Sequence, residues 1–104
     1  MSDYLVDLNK KCLKGISKNL ENLPSYCFDF ILNIENYTSP LTRLNYARDL
    51  VIFFDFLSNH IFHKTAKSIT FNDLNSLKSK DIEYFLSYLS YYEYKGKSYH
   101  NGEK

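Results

Sequence analysis

The sequence has no tryptophan, two prolines, three glycines and two cysteines among its 104 residues. So few helix breakers leave long stretches free to coil into helices. Two cysteines with no secretory leader ahead of them give little ground for a disulfide, though one between them stays open. No apolar run approaches the roughly 20 residues that span a bilayer. The first seven residues are acidic, where a secretory leader would be basic and then apolar. No glycine-rich phosphate loop is present. Neither sign of charge dominates: 13 Lys and Arg stand against 12 Asp and Glu, a net charge of +1. An anion-binding role would therefore have to rest on one face of the molecule and not on the total.

What is present is globular. Apolar residues make up 44% and charged residues 24%, which excludes a disordered chain. The length suits a single small domain. Ten Tyr and eight Phe must supply much of any core, since Phe is buried where possible and Tyr half-buried with its hydroxyl at an edge. Cys12 and Cys27 sit within helical patterns and read as reduced, packed thiols of a cytoplasmic protein.

Helical periodicity recurs along the chain, and strand-like alternation is absent. Over residues 3–20, Leu5, Leu8, Cys12, Ile16 and Leu20 form one apolar stripe, with Lys10, Lys11, Lys14 and Lys18 mostly off it. Gly15 weakens this segment, which is expected to dock loosely. Pro24 suits the first turn of a second helix, with Leu23, Cys27, Phe30, Ile31 and Ile34 on its apolar face. Residues 35–39 read as a loop. Ser39-Pro40 is a strong start signal for the longest helix. Its expected buried stripe is Leu44, Ala47, Leu50, Val51, Phe54, Leu57 and Ile61, widened by Phe53 and Phe56. A brief helix is expected over 71–77, opened by Thr70 and Asp73. Ser79 is expected to cap a last helix with Ile82, Phe85, Leu86 and Leu89 inward. From Glu93 the pattern stops and a linker is expected.

Candidate chemistry is sparse. Tyr88, Tyr91, Tyr92 and Tyr94 gather where cations are few, and a nucleophilic Tyr needs cationic groups around the phosphate it attacks. His60 and His63 could share one side of a helix end, but zinc needs a third and usually a fourth ligand. Asp49 and Asp55 read as solvated surface charge. One polar face is of interest. Thr42, Arg43, Asn45 and Arg48 occupy the first turns of the long helix, where free N–H groups and the helix dipole favour phosphate. Arg can grip phosphate or guanine, and Asn can pair with adenine. Lys80, Tyr84 and Ser87 lie off the apolar stripe of the last helix. On residue chemistry alone these faces read as ordinary solvated helix surfaces.

The string Ser-Pro-Leu-Thr-Arg-Leu-Asn-Tyr-Ala-Arg-Asp-Leu over 39–50, with Phe53, Phe54 and Leu57 behind it, resembles the second helix of the core-binding domain of tyrosine recombinases, the family of the Xer proteins and of phage and transposon integrases. The order of the rest agrees. A helix over 23–34 precedes it, and a short loop and mini-helix over 69–77 follow. Asp81-Ile82-Glu83-Tyr84-Phe85-Leu86 then resembles the family's Asp-Ile-x-x-Tyr/Phe-Leu helix.

The resemblance implies an all-α, SAM-like domain of four to five helices in crossed pairs. Residues 1–22 would be a helical extension, 23–92 the core-binding domain, and 93–104 a linker toward a further helix and a catalytic domain. It implies double-stranded DNA at a recombination site as the partner, with other recombinase protomers, and Thr42, Arg43, Asn45, Arg48, Lys80, Tyr84 and Ser87 as the DNA-facing set. No membrane, metal, cofactor or small-molecule substrate is implied. The family's catalytic Arg, Lys, His and Tyr set has no counterpart here, so the fragment is expected to bind DNA without being an enzyme. The rival expectation is a helical interaction module, or recombinase remnant, that has lost DNA binding.

Overall fold

The computed structural model describes the backbone of residues 3–101 and the side chains of residues 3–91. The fold is all-α, and the described residues contain no strand. Five helices follow one another: α1 (Asp3–Leu20), α2 (Ser25–Asn33), α3 (Pro40–Phe56), α4 (Phe71–Asn75) and α5 (Ser79–Asn101). Among the described residues, no helix is long and apolar enough to cross a membrane. The chain divides into two compact units, residues 1–70 and 71–104.

In the first unit α3 is the hub, and both α1 and α2 pack against it. It starts where the sequence marks a start. The Ser39 hydroxyl accepts the Thr42 N–H at 3.1 Å, and Pro40 takes the first helical position. Leu44, Ala47, Phe54 and Phe56 are buried along it. Leu50, Val51 and Phe53 are only half-buried, whereas Phe56, expected at the margin, is fully enclosed. Past Phe56 the coil widens into a π turn over Leu57–Ile61, closed by the Phe62 N–H on the Leu57 carbonyl at 2.8 Å. His63 then adopts φ 53°, the left-handed conformation that ends many helices and that Gly or Asn usually supplies.

The N-terminal helix is not a loose extension. Cys12, Ile16 and Leu20 are buried, and only the first turn, with Tyr4, Leu5 and Val6 exposed, stands clear. Gly15 explains the fit. A Cβ at that position would lie 2.8 Å from Leu44 Cδ1, so the residue that lowers helix propensity is also the one that lets α1 approach α3 closely. On α2, Cys27 and Ile31 are buried as the periodicity requires, as is Leu23 just before the helix. Phe30 is not: it is exposed, with its ring 6.4 Å from that of Tyr46. Pro24 precedes the first helical position of α2 by one residue and serves as its N-cap. The returning segment is tied down by Ile69, which is buried, and whose carbonyl accepts the Tyr26 hydroxyl at 2.7 Å.

The second unit differs from expectation in four respects. Helix α4 ends at Asn75, and Ser76 closes it by donating to the Asp73 carbonyl. The start of α5 is capped from inside. Asp81 Oδ2 accepts the Lys78 N–H at 2.9 Å, the reach-back half of a capping box, so the capped residue is Lys78 and not Ser79. The helix then continues to Asn101, where a linker from Glu93 was expected; residues 102–104 lie outside the described residues. Ile82 and Leu86, assigned inward, are exposed, and Phe85 and Leu89 are half-buried. No side chain from Phe71 to Tyr91 is fully buried.

Candidate nucleic-acid interface

The N-terminal half of α3 presents Thr42, Asn45 and Arg48 on one face, each three residues after the last, an arc of about 120°. Asn45 and Arg48 are exposed and Thr42 is half-buried. The Ser39 hydroxyl donates to Thr42 Oγ1 at 3.1 Å, so Thr42 is held by the cap it completes. Asp49 is exposed on the same arc and offsets the charge of Arg48, leaving a polar, near-neutral face beside a helix N-terminus.

Arg43 does not belong to this face. It is buried, with 6% of its surface exposed. Its Nη1 donates to the Thr38 carbonyl at 2.7 Å, to the Glu35 carbonyl at 3.0 Å and to Thr38 Oγ1 at 3.3 Å. These carbonyls belong to the 3-10 turn Glu35–Tyr37 and its C-cap, between α2 and α3. A guanidinium there supplies donors to carbonyls that the turn leaves unpaired. The spacing carries the reason for the inward turn. Arg43 precedes Ala47 by four residues and Leu50 by seven, which are core spacings on this helix. Periodicity alone could have identified it as a buried structural cation.

On α5, Lys80, Tyr84 and Ser87 are exposed and share one side at spacings of four and three. Tyr91, exposed and seven residues beyond Tyr84, extends that side, a position sequence reasoning did not include. Asp81, engaged at the helix cap, also offsets the charge of Lys80. Thr42, Asn45 and Arg48 lie in the first unit and Lys80, Tyr84 and Ser87 in the second.

Other chemistry is thin. The His60 ring lies 5.3 Å from that of Phe56. Among the described residues no group of three or more His, Cys, Asp and Glu is arranged to hold a metal ion. Cys12 and Cys27 are both free and buried. Burial pushes the Cys27 thiol up to about 11, which suits a packed thiol and not a nucleophile.

Neither family models, nor curated proteins, nor solved structures provide a match to this chain.

Proposed function

We propose that these residues bind double-stranded DNA at a recombination site, as the SAM-like, core-binding part of a tyrosine recombinase, with no catalytic step of their own. The observation that carries this reading is the face of exposed Asn45 and Arg48 and half-buried Thr42 on the first turns of a helix capped by Ser39. An amide and a guanidinium are the side chains best suited to adenine and guanine edges; the helix N-terminus adds mainly its dipole, since Pro40 has no N–H and the Thr42 and Arg43 N–H groups are taken by Ser39. The exposed side of α5 with Lys80, Tyr84 and Ser87 supplies a second set of phosphate- and sugar-directed donors. The resemblance of 39–50 and 81–86 to the family's two DNA-facing helices points the same way. Arg43 drops out of the contacting set and becomes the residue that positions the start of α3.

A second reading is favoured by two features. Ile82 and Leu86 are exposed on α5, and Asp49 offsets Arg48, as expected of a helical module that joins other proteins. Titrating a labelled duplex and a labelled single strand of equal length separates the two. Preferential, salt-sensitive binding of the duplex supports the DNA reading; indifference to both supports the interaction module. Incubation with supercoiled plasmid should leave it intact. Nicking abolished by a single Tyr substitution would contradict the non-catalytic assignment.

A further inference from the structure

Helix α1 carries a lysine tract that the α3 and α5 faces do not use. Lys10, Lys14 and Lys18 recur at every fourth residue, with Lys11 beside them. Each fourth residue advances by about 40° and rises about 6 Å, so the three form a shallow spiral about 12 Å long. Lys11 falls within the same arc of about 100°. All four are exposed, whereas Cys12, Ile16 and Leu20 on the far side are buried. From Lys10 to Leu20 there is no carboxylate. Lys18 has an ordinary role, complementing the negative C-terminal end of the helix. Lys10 and Lys11 have the exposed Asp7 three and four residues before them, an ordinary helix pairing. Lys14 is too far from the helix end and has, at three and four residues, only Ser17 and the like charges of Lys10, Lys11 and Lys18, which work against the helix.

We propose that this face of α1 seats a run of backbone phosphates of duplex DNA, a second contact surface that adds affinity without sequence preference. The inference rests on the DNA-binding reading and deepens it. Lysine is suited to such a surface, because a strongly hydrated point charge on a flexible stem neutralises phosphates without demanding one geometry. The tract is held on a rigid support, because α1 is seated on α3 at the Gly15–Leu44 approach. An anionic bilayer is a poorer occupant. A helix that lies on a membrane embeds its apolar face in the lipid, and here Cys12, Ile16 and Leu20 of that face are committed to the protein interior. At its C-terminal end the tract meets a cleft of about 790 Å³ lined by Lys18 and Lys67 but also by Glu21 and Asp55. Lys67 Nζ donates to the Glu21 carbonyl at 3.2 Å there. Acids balance bases in that cleft, so the phosphate track ends at Lys18.

The test uses the full chain, a duplex long enough to cover it, and a series of salt concentrations. Lys10→Gln, Lys14→Gln and Lys18→Gln together, in a variant whose melting shows it folded, should flatten the log–log salt slope by about two to three units, close to one per phosphate released. Should the triple variant fail to fold, Lys14→Gln alone should flatten it by about one. A variant that keeps the parent slope, while Arg48→Ala flattens it, overturns the lysine tract and leaves the DNA-binding reading standing. A parent chain that does not bind duplex overturns both. Binding to phosphatidylserine vesicles that the lysine changes abolish, with duplex binding unchanged, would overturn the proposal in favour of a membrane surface.

Discussion

Arg43 Nη1 donates to the Thr38 carbonyl at 2.7 Å, and Thr38 Oγ1 in turn donates to the Ile34 carbonyl at 2.7 Å. This relay joins the end of α2 to the start of α3 through one buried cation. Removing it strands carbonyls and leaves a hole. Arg43→Ala should lower stability by about 2–4 kcal/mol, the range for removing hydrogen bonds to a buried charge. Chemical denaturation measures this. Because Arg43 is buried, the change should leave the salt slope of DNA binding at its parent value in protein that remains folded. A flattened slope with undiminished stability would return Arg43 to the DNA face.

Gly15 and Leu44 set the distance between α1 and α3. Gly15→Ala recovers up to about 1 kcal/mol of helix propensity, but its Cβ must displace Leu44 Cδ1 from 2.8 Å. That atom is the end of a movable side chain, so the two effects should nearly cancel, within about 1 kcal/mol. Gly15→Val adds bulk where none fits and should cost about 1–3 kcal/mol. Thermal melting of the pair checks this. Equal tolerance of both would mean that α1 is not seated as closely as the approach to Leu44 implies.

The buried Cys27 thiol imposes a pH dependence. Its value is raised from 9.0 to about 11 in the folded chain, so the folded state holds its proton where the unfolded state has released it. The stabilising effect is complete below about 9 and fades as pH climbs toward about 11. Cys27→Ala should be less stable at neutral pH, through poorer packing, yet its stability should fall less than the parent's between those limits. Denaturant midpoints across that range read it. Parallel curves for the two proteins would contradict the assignment.

His63 holds φ 53° at the end of the π turn, and its side chain is exposed. Glycine adopts that conformation without a Cβ penalty. His63→Gly should therefore raise stability by about 0.5–1 kcal/mol, seen as a higher melting temperature. A lower melting temperature would show that the imidazole makes an interaction worth more than the backbone preference.

Much of the fold was legible because it is local. The bounds of α1, the Ser39-Pro40 start of α3 and the burial of Cys12, Ile16, Cys27, Ile31, Ala47 and Phe54 all follow from spacing and capping chemistry. What escaped was tertiary. Gly15 reads as a weak point until Leu44 is opposite it. Ile82 and Leu86 have helix-stripe spacing but are exposed, because periodicity gives a face and not what covers it. Phe56 is enclosed although it lies at the margin of the stripe, with the His60 ring of the π turn 5.3 Å from its own. In the candidate interface, Thr42, Asn45 and Arg48 could be placed from the wheel. Arg43 was misplaced because its charge was weighed above its position between core spacings, where unpaired carbonyls make burial tolerable. Helix α5 beyond Glu93 gave no periodic signal, since a helix can form without an apolar stripe.

The most direct measurement is duplex binding by Arg48→Ala and by Lys80→Ala, each shown to be folded, over a series of salt concentrations. Both residues are exposed and lie on the two helices that resemble the DNA-facing pair. Each substitution should weaken binding and flatten the log–log salt slope by about one unit, the signature of one phosphate no longer neutralised. Parent affinity and parent slope in both variants would contradict the account and favour a helical module that binds protein instead of DNA.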